Sequence, residues 1–286
     1  MLSFLPGQVR GILLLLLYVS NTIFWSVVIL LIALLKLSVP VTPWRKLCSR
    51  AMDGIGTIWI FFNNCNTRLI NEIRWDVSGT DNLEKNRWYL VVANHQSWVD
   101  ILVMQKIFYR KIPFLKFFLK KELFWVPFLG LAWWALDYPF LERSSSTIKD
   151  MKSAKKACEK FRTFPVSIMN FVEGTRFTKE KQGEQHSPYS HLLQPKAGGI
   201  AIVLAALGDQ LHSILDVTIA YPGGASSFWA FLCGELSDVK VRVESLPIDK
   251  EISGDYFQDR EFRKKFRHWL NALWAKKDQT LAALLD

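Results

Sequence analysis

Cysteine and histidine are scarce in this chain, and each scarcity excludes some chemistry. The four cysteines (Cys48, Cys65, Cys158, Cys233) are scattered, with no Cys-x-x-Cys and no histidine at metal-ligand spacing. That argues against a zinc site or a disulfide framework and for free thiols in a reducing compartment. The glycines form no Gly-x-Ser-x-Gly elbow, no P-loop and no dinucleotide-type cluster, which removes three common catalytic plans. Of the five histidines, four are poor candidates. His186 and His191 lie in a polar stretch, and His268 sits among Lys265, Arg267 and Trp269. His212 with Asp216 is a rival histidine–acid pair, but Ile214, Leu215 and Val217 place it at the start of a strand. Charge, finally, is missing altogether from Gly11 to Leu35.

That uncharged run would form a helix of about 37 Å, enough to cross a ~30 Å hydrocarbon core with some tilt. It is too long for a signal peptide and lacks a small-residue cleavage site after it. Lys36, Arg45, Lys46 and Arg50 after the run outnumber Arg10 before it, so the positive-inside bias puts the rest of the protein on the cytoplasmic side. Pro40 and Pro43 break the chain. Trp44 to Phe62 then mixes basic residues with Ile55, Ile58, Trp59, Phe61 and Phe62, which suits either an interfacial helix or one packed on a domain. The chain thus divides into an anchoring segment over residues 1–66, with its span at about 11–35 and a second helix at about 44–62, and a globular part over 67–286. A hydrophobic fraction of 50%, 12 tryptophans and a net charge of +10 are what a membrane-bound protein with anionic partners would carry.

The fifth histidine stands at a corner. Tyr89 to Ala93 has the length and composition of a buried strand, and Ile101 to Phe108 is apolar with helical potential. Between them lie Asn94-His95-Gln96-Ser97, closed by Asp100. An imidazole there can take a proton from a hydroxyl, and a carboxylate on its far nitrogen would fix the tautomer. Residues five apart share no face of a continuous helix, so the pair requires His95 in the turn and Asp100 in the first helical turn, pointing back. Ser97-Trp98-Val99-Asp100 reads as a helix N-cap with an acid three residues on. The same spacing also fits a plain capping acid beside an ordinary loop histidine.

Downstream, strands at Arg74–Ser78, Leu136–Phe140, Val166–Val172, Leu215–Tyr221 and Val239–Leu246 alternate with helices. The helical spacings are Ile148 to Phe164, Ile200 to Leu207 and Phe262 to Leu273. This order predicts a layered α/β domain. Lys116, Lys120 and Lys121 alternate with aromatic residues between Lys111 and Gly130, as a helix with solvated lysines or as a basic head-group site. After the strand at 166–172, Glu173-Gly174-Thr175-Arg176 offers a tight turn and a planar donor fork suited to phosphate. A surface turn with an internal ion pair fits those four residues equally well.

Four segments in order resemble the conserved blocks of the glycerolipid acyltransferases, the lysophosphatidic acid acyltransferases. They are Asn94-His95-Gln96-Ser97-Trp98-Val99-Asp100, Phe140-Leu141-Glu142-Arg143, Phe171-Val172-Glu173-Gly174-Thr175-Arg176-Phe177 and Ile219-Ala220-Tyr221-Pro222. The second departs from the commoner Phe-Ile-Asp-Arg. Lys120-Lys121-Glu122-Leu123, Val126-Pro127-Phe128-Leu129-Gly130 and Pro195-Lys196-Ala197-Gly198-Gly199 are similar to the YihG-like bacterial branch. The resemblance implies a central mixed sheet flanked by helices, with acyl transfer from acyl-CoA or acyl-carrier protein to the sn-2 hydroxyl of 1-acyl-glycerol-3-phosphate or a related lysophospholipid. It implies no metal, and no cofactor beyond the thioester co-substrate. It makes His95 the general base and Asp100 its orienting acid. Arg176, Lys120 and Arg143 would hold the acceptor phosphate, with Glu173, Gly174 and Thr175 building that turn and Tyr221-Pro222 shaping the acyl-donor side. Membrane lipids are then the expected surroundings, nucleic acid is not a partner, and the location is a bacterial inner membrane. Two other classes compete: a membrane-anchored basic module binding lipid or nucleic acid, and an acyl-thioester hydrolase.

Overall fold

The computed structural model describes residues 2, 4–141, 158, 160–249 and 252–286. Two long helices come first, α1 (Gly7–Ser38) and α2 (Thr42–Ile70). α1 is long and apolar enough to cross a membrane. α2 runs past the expected Phe62 and packs along α1 as a hairpin. Polar groups stitch the two together: Trp59 Nε1 donates to Thr22 Oγ1 at 3.1 Å, and Asn21 Nδ2 to Asn63 Oδ1 at 2.8 Å. The Trp25 and Phe62 rings stack between them.

The remaining elements in chain order are β1 (Arg74–Ser78), β2 (Trp88–Ala93), α3 (Val99–Ile107), β3 (Leu115–Phe117), β4 (Leu119–Lys120), α4 (Leu129–Ala135), β5 (Phe140–Leu141), β6 (Ser167–Phe171), α5 (Lys179–Glu184), α6 (Ala197–Leu207), β7 (Leu211–Ala220), α7 (Phe228–Leu232), β8 (Asp238–Leu246) and α8 (Arg260–Leu285). Six strands form one sheet in the order β1-β8-β7-β2-β6-β3, and β4 pairs with β5 separately. Among the described residues, β7 and β8 pair antiparallel and the other neighbours are parallel. The sheet is mixed and helix-flanked, as expected.

Alternation along β2 divides the core. Tyr89, Val91 and Ala93 face the hairpin, α3 and α4, whereas Leu90 and Val92 face α6 and α8. Both faces are covered, which explains why this strand reads as a continuous apolar run. α8 starts where the Asp259 carboxylate accepts from the backbone N–H of Glu261 and Phe262.

Two expectations need correction. Residues 111–130 are not one lysine-studded helix but an edge strand, a short strand, a 3₁₀ turn and the start of α4. Lys116 is buried in β3, donating to Leu136 O at 2.6 Å and lying 3.1 Å from Asp53 of α2. The predicted strand at 136–140 shrinks to Phe140–Leu141, because α4 carries the chain to Ala135. Most of the predicted helix at 148–164 lies outside the described residues.

Candidate active site

β2, β6 and β7 are adjacent and parallel, so the loops after Ala93, Phe171 and Ala220 meet at one sheet edge. Sites in α/β sheets form at such carboxyl ends. Asn94 extends the ladder with its side chain, its amide exchanging 2.9 Å hydrogen bonds with the backbone of Ile219. The neighbouring loops are tied in as well: Phe177 N donates to His95 O at 2.7 Å, and Ser97 Oγ to Ser226 O at 2.6 Å.

Asp100 holds the corner together. Its Oδ2 lies 2.8 Å from His95 Nδ1 and accepts the backbone N–H of Gln96 (2.6 Å) and Ser97 (2.9 Å). Its Oδ1 accepts from the Tyr221 hydroxyl at 2.5 Å. The two readings of this acid were therefore not exclusive, since it closes the turn and engages the imidazole with the same oxygen. The carboxylate accepts from Nδ1–H, which leaves the Nε2 lone pair free for a proton. Phe171 stacks on the ring at 3.9 Å and fixes its plane.

Glu173 lies beneath this loop, fully buried. Its Oε1 accepts from His95 N at 2.8 Å and its Oε2 from Leu193 N at 2.9 Å. Burial pushes its carboxyl up to about 7, while the two backbone donors pull the other way.

His95 opens onto a chamber of about 580 Å³ between the hairpin and the sheet. Trp25, Ile29, Trp59, Ile101, Phe114 and Trp133 are among its apolar walls. Lys120 and Arg176 line its mouth, both exposed. Arg176 rests on the Trp98 ring at 4.9 Å and pairs with no carboxylate among the described residues. Also among the described residues, no three His, Cys, Asp or Glu side chains converge as metal ligands would.

A family model for acyltransferases matches residues 74–222, just over half of the chain. The chain belongs to the acyltransferase family. It is similar to the 1-acyl-sn-glycerol-3-phosphate acyltransferase delta of Mus musculus, 26% identical over 202 residues, which are 66% of this chain and 51% of that protein. It is also similar to 1-acyl-sn-glycerol-3-phosphate acyltransferase 3 of Arabidopsis thaliana, 31% identical over 143 residues, 46% of this chain and 37% of that one. The chain thus spans about half or less of the curated relatives it matches. In fold it resembles the 1-acyl-sn-glycerophosphate (LPA) acyltransferase PlsC of Thermotoga maritima. That match has a TM-score of 0.57 and 19% identity, and it covers 97% of this chain and 98% of that one.

Within this acyltransferase the structure brings His95, Gly174, Thr175, Arg176 and Lys120 to one chamber. Glu173 is not a substrate contact: both its oxygens are taken by backbone N–H groups, so it positions the His95 loop. Tyr221 is buried and spends its hydroxyl on Asp100, and Pro222 does not line the chamber. Arg143 lies outside the described residues. The rival pair dissolves, since His212 is exposed and Asp216 lies 2.8 Å from the buried Lys277.

Sequence reasoning overlooked Lys196 and Asn170. Gly174 has φ +70, and a side chain there would meet the Lys196 stem at 3.1 Å. Gly199 leaves room for the Asn170 amide, which a Cβ would meet at 2.2 Å. The Pro195–Gly199 segment contained the signal for both contacts.

Proposed function

We propose that this acyltransferase moves a fatty acyl group from acyl-CoA or acyl-carrier protein to the sn-2 hydroxyl of 1-acyl-glycerol-3-phosphate or a related lysophospholipid, giving phosphatidic acid in the first case. The observation that carries the reading is the 2.8 Å contact between Asp100 and His95 Nδ1, on a ring that opens into an apolar chamber with cations at its mouth. His95 Nε2 takes the proton as the lipid oxygen attacks the thioester carbonyl. The C–O bond forms, the C–S bond breaks, and the proton passes to the leaving thiolate. Asp100 stabilises the imidazolium in between, and Glu173 and Tyr221 hold histidine and acid in register. Arg176, Lys120 and Arg143 bind the acceptor phosphate, Arg176 with a bidentate fork.

The chamber walls suit an acyl chain, and a hairpin whose α1 is long and apolar enough to cross a membrane supports a chamber beside lipid. Trp125, Phe128, Leu131 and Trp134, in and just before the α4 that packs on α1, are exposed as are many apolar residues of α1, a distribution that supports contact with a bilayer. The basic residues after α1 favour a cytoplasmic placement at a bacterial inner membrane, in keeping with the YihG-like motifs.

The test is mass-spectrometric product analysis with labelled acyl-CoA and a panel of lysophospholipids. Lysophosphatidic acid should yield phosphatidic acid, and His95→Ala should lower kcat by roughly a thousandfold while the protein still inserts and folds. Labelled free fatty acid as the sole product would make the protein a hydrolase, and unchanged turnover in His95→Ala would remove the base.

A further inference from the structure

The residues that hold His95 and Asp100 are themselves held from the far side of the sheet. Leu193, whose N–H supplies the second bond to Glu173, lies in the stretch between α5 and α6, which has no helix or strand of its own to fix its backbone. Gln182 and Ser187 bond to carbonyls within that stretch. Further support comes from one turn of α8.

Lys277 and Asp278 follow Trp274 by three and four residues, so the three share a face of that helix. The Asp278 carboxylate accepts from Ser190 N and His191 N, both at 2.8 Å, one on each oxygen. The Trp274 indole, fully buried, donates to Leu193 O at 3.0 Å. Leu193 is thus gripped on its carbonyl by α8 and on its N–H by Glu173, whose other oxygen accepts from His95 N. Lys277 reaches the other neighbour: its ammonium donates to Val217 O at 2.6 Å and lies 2.8 Å from Asp216, both on β7. β7 ends at Ala220, and the next residue is Tyr221, which donates to Asp100. One turn of α8 therefore stands behind both supports of the histidine–acid pair. Apolar packing would cover this layer without an ammonium in it, and a buried ion pair is a poor source of stability. What directed bonds supply is register, since their geometry tolerates little displacement.

We propose that Trp274 and Asp278 are positioning residues for acyl transfer, acting through Leu193 and Glu173 on the backbone of His95. The inference rests on the acyl-transfer reading and adds to it residues that do not line the chamber. Loss of either lets Leu193 shift, Glu173 follows its donor, and His95 Nε2 leaves the line of the attacking hydroxyl. Displacement of a reacting group by about 1 Å is enough to cost roughly a hundredfold in rate.

The experiment measures kcat and acceptor KM of the full-length protein with a long-chain acyl thioester and 1-acyl-glycerol-3-phosphate. Rates are taken per folded molecule, the folded fraction coming from denaturant unfolding. Asp278→Ala should lower kcat about ten- to a hundredfold at constant acceptor KM, as when the lost contribution is made only in the transition state. Asp278→Glu, which keeps a two-oxygen acceptor, should recover most of that loss. Trp274→Phe keeps the bulk, removes the donor and should lower kcat about tenfold. In a Glu173→Gln background, Asp278→Ala should cost little more, because the route to His95 is already cut. Phe266→Ala, in the same helix and layer, controls for lost stability, and its kcat should not move. Unchanged kcat in folded Asp278→Ala and Trp274→Phe overturns the proposal, as does an effect that adds in full to that of Glu173→Gln. Failure of both variants to fold also overturns it, leaving the turn a matter of stability. No transfer by the wild-type protein from any thioester overturns the acyl-transfer reading instead.

Discussion

On one side of the sheet, α6 and α8 press Leu90, Val92, Ile200, Val203, Phe266, Leu270 and Trp274 into a filled layer. On the other side, the hairpin, α3 and α4 enclose Tyr89, Val91 and Ala93 together with a chamber of about 580 Å³. The same strands therefore serve two layers of opposite design. Close packing yields stability per side chain, and a large void gives some of that up to make room for something else. The His95 loop lies where the two meet, with His95 facing the hollow layer and Glu173 reaching to Leu193 beside the filled one.

The sharpest way to break this contrast is to delete bulk on each side. Phe266→Ala should cost about 3–5 kcal/mol and leave turnover per folded molecule unchanged. Phe114→Ala should cost less and shift the preferred chain length upward; denaturant unfolding and donor competition measure both. Equal costs on the two sides would show that the chamber is not spare volume.

The junction itself should respond to pH. Glu173 holds a proton up to about pH 7 in the native state, against an ordinary value of 4.5. The folded protein thus binds more proton than the unfolded chain across that window, and stability falls as pH rises through it, by up to about 3 kcal/mol. Glu173→Gln should flatten that slope in unfolding measured at several pH values, and an unchanged slope would place it on another group. At the chamber mouth, Arg176→Ala should raise the acceptor's KM by about ten- to a hundredfold and leave the donor's alone. The smallest change is Tyr221→Phe, which leaves Asp100 Oδ1 without its donor. Steady-state assays should show kcat down about tenfold at constant acceptor KM.

What could be read from the chain without coordinates was local. The strand–turn–helix around His95, the reach of Asp100 back across five residues and the turn at Gly174 all follow from neighbours in sequence. What could not be read depended on strand order. Tyr221 is expected on the acyl-donor side, and only β7 lying next to β2 carries its hydroxyl to Asp100 instead. Lys116 sits in a lysine–phenylalanine alternation that fits a helix with a wet face. Its burial depends on Asp53, which a separate helix supplies across the edge of the sheet. Glu173 looked like a partner for Arg176 because they are three apart, whereas the backbone of His95 and Leu193 claims both its oxygens.

Lys116 has one more implication. Its ammonium ends in the hairpin, on Asp53, and Lys36 of α1 makes a comparable 2.9 Å tie to Asp137. Trimming residues 1–70 to obtain a smaller remnant would take away the carboxylate that pairs with Lys116, uncover the apolar residues the hairpin covers and tear out one wall of the chamber. The helix long and apolar enough to cross a membrane therefore cannot be cut away as a separate anchor, because it is also half of the container.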